Sequence, residues 1–246
     1  MENFGWVVVA LGALGCLGGA PAKPATPEGQ LQEAKTAAAS ARWPEAREAA
    51  IAYWVKYCRQ APSSPSDCAS AQLIRGDAEL AGGSPETALL AFKWVLGSGD
   101  AAAQQQAEQG IARATSELQK VLDSNVDSTW LVVQQDFDDN HKFGPERALY
   151  TLDGTNLGQV TRPSTFEERQ HRVLAQKIAS GPRRLAVEIH WKGLGTFDNY
   201  LWSSFNPIEL EAPLGGVLVA SLDVTYTDGG PSNNSVKQDF RITKLP

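Results

Sequence analysis

The chain has 246 residues, of which 42% are hydrophobic and 20% charged, and its formal net charge is −6 at pH 7. This composition is typical of a globular protein and excludes a wholly disordered chain or a collagen-like fibre. The acidic balance also argues against nucleic acid or an anionic lipid surface as an electrostatic partner.

The N-terminal segment is typical of an export signal. Residues 4–20 carry no charge, and the apolar stretch 6–17 is shorter than the roughly 20 residues that a membrane-spanning helix needs. Gly18, Gly19 and Pro21 then end any helix. The segment therefore predicts a secretory signal peptide rather than a membrane anchor, with a retained helix as an alternative.

The run at 12–16, Gly-Ala-Leu-Gly-Cys, resembles a bacterial lipobox. The resemblance implies a signal peptide over 1–15, a lipidated Cys16, and a tether over 16–27. We therefore expect a lipoprotein on the periplasmic side of the cell envelope, anchored in the outer membrane. A soluble secreted protein is the alternative.

Residues 28–127 are rich in alanine and have helical spacing. Thr26-Pro27 and Ser84-Pro85 each match an N-cap followed by proline at the first helical position. The predicted helices are 28–41, 44–59, 67–81, 85–96 and 101–122. Cys58 and Cys68 flank the loop between the second and third helices. In an oxidising compartment the two cysteines form a disulfide; the alternative is that they stay separate thiols packed between helices.

Two units of the helical half repeat a pattern of small and bulky residues. In each unit a small residue is followed twelve positions later by a second small residue, and then by bulky residues. These residues are Ala34, Ala46 and Tyr53 in the first unit and Gly76, Ala88 and Phe92 in the second. It resembles tetratricopeptide repeats, which implies helical hairpins with a concave face for a peptide or partner domain. We expect Trp43, Tyr53 and Trp94 on that face, and a generic alanine-rich bundle is the alternative.

From residue 128 to 246 the pattern changes to short β-branched and aromatic runs separated by turns. These runs are 129–133, 147–152, 184–191, 208–210, 217–226 and 236–242. A capping box at 164–167 and an apolar stripe of Phe166, Val173, Leu174 and Ile178 predict one inserted helix. The sequence thus predicts a two-domain α+β fold, with helical hairpins over 28–127 and an antiparallel β-sandwich with one inserted helix over 128–246.

Part of the second half resembles the PEGA-type β-sandwich modules of bacterial envelope proteins. The resemblance rests on the Leu-Asp-Gly turn at 152–154 and on the run 181–187, Gly-Pro-Arg-Arg-Leu-Ala-Val. It implies a surface or envelope adhesion module without catalytic residues.

An aromatic stretch follows at 191–205. Its rings belong to Trp191, Phe197, Tyr200, Trp202 and Phe205. Such rings serve as sandwich core, as a protein-docking patch or as a sugar-stacking site, and the sequence leaves these three interpretations open.

The sequence offers little for metal binding or catalysis. Asp136 opens a run that resembles the start of an EF-hand loop, but His141 stands at the sixth position and Arg147 at the twelfth, which favours a solvated turn. Common hydrolase, metalloprotease and nucleotide-binding motifs are missing from the sequence. An enzymatic function would need a cleft that brings His190 together with Glu188 or Asp198.

These observations together predict a non-enzymatic protein without a cofactor or metal. We expect a lipid-anchored scaffold or adaptor that contacts envelope proteins through the helical face and through Trp191, Tyr200, Trp202 and Phe205. A carbohydrate-binding module for envelope polysaccharide is the alternative.

Overall fold

The computed structural model describes residues 26–59, 64–137, 143–161, 171–197, 199–226 and 236–245. The proposed signal peptide and lipobox, Cys16 included, lie outside these residues. The described part of the first half contains five helices: α1 (Pro27–Ala39), α2 (Trp43–Tyr57), α3 (Pro65–Ala81), α4 (Pro85–Leu96) and α5 (Ala101–Asp123). The five predicted helices are therefore confirmed to within a few residues.

Local signals set the helix boundaries. Thr26 caps α1 by accepting a hydrogen bond from the Gly29 N–H at 3.2 Å, and Ser64 and Asp100 cap α3 and α5 in the same way. Ser84 stands at the N-cap of α4, but its side chain makes no capping bond. Its hydroxyl accepts a bond from Arg172 instead.

Successive helices pack against each other through small residues. Ala34, Ala46 and Ala50 are fully buried where α1 and α2 meet. In the next pair the Phe92 ring lies directly over Gly76 of α3. Close approach of the helix backbones therefore depends on the small side chains at these positions.

The described part of the second half forms two four-stranded sheets. The strands are β1 (Thr129–Phe137), β2 (Phe143–Leu152), β3 (Thr155–Thr161), β4 (His171–Ile178), β5 (Gly181–Gly193), β6 (Leu201–Ala212), β7 (Val217–Tyr226) and β8 (Val236–Leu245). The order is β4-β1-β7-β8 in the first sheet and β3-β2-β5-β6 in the second. The coarse prediction of an α+β chain with helices first and strands second is thus confirmed.

The two sheets share one hydrophobic core. Leu131 of β1 and Leu222 of β7 belong to the same buried cluster as Val187 and Ile189 of β5. The sheets also touch along one side, where the Asn206 side chain of β6 donates to the Gln238 carbonyl of β8 at 2.8 Å. One face of each sheet therefore packs towards the other sheet.

The helices cover the other face of the first sheet. Val132 and Val219 alternate with the core residues of β1 and β7, and they join a cluster with Leu89 and Phe92 of α4. The order of layers is helices, first sheet, second sheet. As a result β1 is buried on both of its faces.

Two sequence predictions for this half are wrong. The first sheet is mixed, because β1 and β7 run parallel, so the sheets are not purely antiparallel. The segment from His171 to Ile178, assigned to the inserted helix, is strand β4 and pairs with β1. The reason is that a buried strand needs hydrogen-bond partners on both sides, and β4 supplies one of them. The capping box and Phe166 lie outside the described residues.

Within the residues described, no helix is both long and apolar enough to cross a membrane.

Candidate functional site

The outward face of the second sheet carries large exposed apolar side chains. Along β6 the residues alternate, so that Leu201, Phe205 and Pro207 face outward. Leu201 is 70% exposed, Phe205 59%, and Tyr200, just before the strand, 52%. We call Tyr200, Leu201, Phe205 and Pro207 the aromatic strip. Contiguous exposed apolar patches on soluble proteins mark interaction sites.

Two other aromatic residues of this region belong to the core. Trp191 is buried and its indole N–H donates to Ser204 Oγ at 2.9 Å. Trp202 is half-buried and stacks on Trp191, with ring centroids 5.4 Å apart. Within β6 the two aromatic residues therefore divide by strand face: Trp202 packs with Trp191 towards the core, whereas Phe205 faces outward. Tyr200, just before the strand, is exposed. The Phe197 side chain lies outside the described part of the structure.

A polar group borders the aromatic strip on β5 and β2. His190 Nε2 lies 3.0 Å from Glu188 Oε1 and 3.2 Å from an Arg147 guanidinium nitrogen. Glu188 pairs in register with Phe205, and Lys192 pairs with Leu201. The strip thus has a charged margin, as protein-docking patches have.

The histidine–carboxylate contact required by the enzymatic hypothesis exists, but it lies on a sheet face. His190 and Glu188 are both partly exposed there. Asp198 lies outside the described residues. Across the described ranges there is no group of three or more His, Cys, Asp or Glu residues that could hold a metal.

The predicted helical binding face does not exist as one surface. Tyr53 is 2% exposed and packs with Leu31 and the cysteines, so the prediction that it contacts a partner is wrong. Trp43 is half-buried and lines a pocket that also contains Arg172 of β4. Trp94 is half-buried and lies at the junction between α4 and the first sheet. Trp94 also packs against the cluster that contains Tyr53, whereas Trp43 lines a separate pocket.

The cysteines lie at the connection between α2 and α3. Cys58 and Cys68 are joined by a disulfide in the structure, and both are buried. Tyr53 and Tyr57 pack nearby with ring centroids 5.1 Å apart. Burial, followed by the nearby Asp67 carboxylate, raises the pKa of the Tyr53 hydroxyl.

Asp136 has a structural contact rather than the solvated position that the sequence predicted. It is buried at the end of β1, and its carboxylate lies 3.1 Å from a guanidinium nitrogen of Arg59. Residues 138–142 lie outside the described ranges. The prediction of a solvated turn is therefore wrong for Asp136, because the helical layer covers it.

Comparison with known proteins gives no family for this chain: no family model matches it, and a search of curated proteins finds no match.

Proposed function

We propose that the protein is a non-enzymatic scaffold or adaptor of a cell-envelope assembly, and that it binds an envelope protein through the aromatic strip. The observation that carries this proposal is the exposure of Leu201 and Phe205 on the same outward face of β6 in the second sheet. Burial of such side chains against a partner contributes about 1.5–3 kcal/mol each. The charged margin, with Glu188 and Lys192, would select the partner.

The same proposal includes the finer architecture. We propose that the helices are tetratricopeptide-like hairpins and that the sheets form a PEGA-type β-sandwich. The buried small residues of α1 to α4 and the shared core of the two sheets support this assignment. The order of layers also changes the surface at which we expect a partner to bind. The Trp94 side of α4 packs on the first sheet, so the open surface is that of the second sheet.

The proposed location is the periplasmic side of the outer membrane, through a lipid on Cys16. The lipobox-like run supports this proposal. The Cys58–Cys68 disulfide is in keeping with it, since such bonds persist in oxidising compartments. A Cys16→Ser variant should be found in the soluble periplasmic fraction, whereas the parent protein sediments with membranes.

Site-specific photo-crosslinking in cells tests the partner surface. A benzoylphenylalanine replacing Ser203, which is exposed between Leu201 and Phe205, should crosslink an envelope protein. The same group replacing the exposed Gln119 of α5 is the matched control and should not crosslink that protein. Phe205→Ser should abolish the crosslink at 203 without loss of folded protein.

Two results would overturn the proposal. One is an identical crosslinking pattern from positions 203 and 119, or none from 203. The other is sugar binding in place of protein binding. In that case titration with envelope polysaccharide fragments would show binding to the parent protein and none to Tyr200→Ala.

A further inference from the structure

A cavity of about 230 Å³ lies between the helices and the first sheet, away from the aromatic strip. On the helical side it is lined by Trp54 of α2, Gln72 and Arg75 of α3, and Trp94 of α4. On the sheet side it reaches Arg241 of β8, whose side chain is largely exposed. The cavity is therefore built by two layers and has a side that reaches the surface.

Several residues that line this cavity carry buried polar atoms without partners. Arg75 is 7% exposed and Gln72 2%, and they lie three residues apart on one face of α3. Four buried atoms of the lining residues have no hydrogen-bond partner among the described residues: Arg75 Nε, Gln72 Oε1, Gln135 Nε2 and the Trp54 indole nitrogen. Buried polar atoms are almost always hydrogen-bonded in proteins, so the three donors and one acceptor of these residues have hydrogen-bonding capacity that a bound molecule would satisfy.

The charge of Arg75 is only partly compensated. Its one carboxylate within 4 Å in the described structure is Glu79, whose Oε1 lies 3.8 Å from Arg75 Nε but 2.8 Å from Arg47 Nε. Asp136 and Asp223 also line the cavity, but their carboxylates are paired with other arginines: both lie against Arg59, and Asp223 also lies against Arg241. Burial lowers the pKa of the Arg75 guanidinium to about 10, so it is still a cation at neutral pH. An anion in the cavity would balance this charge.

The aromatic walls define the rest of the ligand. Trp54 and Trp94 meet edge to face with ring centroids 6.3 Å apart, and Leu90 and Ala91 complete the apolar lining. Flat apolar groups pack well on indole rings. Since a cavity of roughly 150 Å³ holds one benzene molecule, this cavity suits a ligand on the order of ten non-hydrogen atoms.

We propose that this cavity binds a small aromatic carboxylic acid that carries one further hydrogen-bond donor. The carboxylate would accept hydrogen bonds from Arg75 and the Trp54 indole, the ring would pack on Trp94, and the donor would reach Gln72 Oε1. This site is independent of the aromatic strip and of the proposed partner.

A matched pair of probes tests the charge recognition. 4-Hydroxyphenylacetate has the required groups, and 4-hydroxyphenylacetamide has the same shape without the negative charge. By calorimetric titration of the full chain, the acid should bind at least tenfold more tightly than the amide. Equal affinities, or no binding of the acid, would overturn the proposal.

Nuclear magnetic resonance locates the binding site without any substitution. In protein labelled with ¹⁵N at tryptophan, the acid should shift the indole signals of Trp54 and Trp94 and leave those of Trp191 and Trp202 in place. Shifts confined to Trp191 and Trp202 would place the ligand elsewhere and contradict the proposal.

Two variants test the assigned residues. Arg75→Gln should weaken binding of the acid at least tenfold and change binding of the amide little. Ser221→Phe, which fills the cavity from β7, should abolish binding of both probes. Arg184→Gln, which alters an exposed arginine of the second sheet, is the matched control and should bind the acid like the parent protein. Unchanged acid binding in folded Ser221→Phe would contradict the site.

Discussion

Phe92 is the residue at which three helices meet. Its ring lies between Gly76 of α3 and Gly110 of α5, and the Arg113 guanidinium lies 6.0 Å from the ring centroid. A Cβ at Gly110 would lie 2.7 Å from three carbons of the ring, and one at Gly76 would come closer still. Both glycines are therefore required by space rather than by backbone conformation.

Gly76→Ala should lower the free energy of unfolding by about 1–2 kcal/mol, because displacement of the buried ring outweighs the gain in helix propensity. Urea denaturation followed by circular dichroism measures this change. Gly97→Ala is the control, since a Cβ there would meet only a carbonyl oxygen at 3.6 Å, and should change stability by no more than about 0.5 kcal/mol. A Gly76→Ala variant as stable as the parent would mean that the ring has room to move.

At the scale of elements, a disulfide crosslinks the connection from α2 to α3. Cys58 ends α2 and Cys68 lies in the first turn of α3. The sequence separation is 10 residues. A crosslink of this span restricts the unfolded chain much more than it changes the folded one.

Reduction of the Cys58–Cys68 disulfide should therefore cost about 2–3 kcal/mol of stability. The measurement is urea denaturation with and without a reducing agent. The double variant Cys58→Ala, Cys68→Ala is the control, and the reducing agent should not alter its midpoint. The prediction fails if reduction leaves the midpoint of the parent protein unchanged.

The helices were predictable from the sequence because their signals are local. Pro27 and Pro85 mark first turns, and the small-residue spacing marks helix contacts, all within a few positions along the chain. Strand β4 was not predictable in this way, because Val173, Leu174 and Ile178 fit a helical stripe equally well. Its pairing with β1 is a contact between distant segments, which no local pattern contains.

The candidate surfaces were predictable only in part. The aromatic residues at 191–205 are visible in the sequence, but the placement of Trp202 towards the core and of Phe205 at the surface depends on the alternation of β6. The cavity was missed altogether. Gln72 and Arg75 have the spacing of an ordinary polar helix face, and only the packing of α3 near the first sheet buries them.

At the scale of the whole molecule, charged groups link the helical layer to the first sheet. Arg172 of β4 places its Nε 3.3 Å from Glu86 Oε1 and donates to the Gly83 carbonyl at 3.2 Å. On the other side Arg59 reaches Asp136 of β1. Burial of Glu86 raises the pKa of its carboxyl, and the nearby Arg172 opposes this shift without cancelling it.

Glu86 should make stability fall as the pH rises. Since the folded state holds its proton more tightly than the unfolded chain, the stabilisation is complete below the ordinary carboxyl pKa and is lost as the pH rises through the raised pKa. Relative to Glu86→Gln, the parent protein should lose stability as the pH rises above the ordinary carboxyl pKa, measured by urea denaturation at several pH values. Glu211→Gln, which changes an exposed carboxylate, should follow the parent throughout. A difference between Glu86→Gln and the parent protein that does not change with pH would mean that the contact with Arg172 cancels the effect of burial, and this result would contradict the prediction.

The layer order has a consequence for how the chain reaches its native state. Helices α1 to α5 touch their neighbours in sequence and can associate early, because few residues separate the contacts. Their apolar face near Leu89 is buried by Val217 and Val219 of β7. Strand β7 comes after β2 to β6 along the chain, so these contacts join distant segments. Until β7 docks beside β1, the helical half exposes a hydrophobic surface. Folding intermediates with this surface uncovered should be the species most prone to aggregation and most dependent on chaperones.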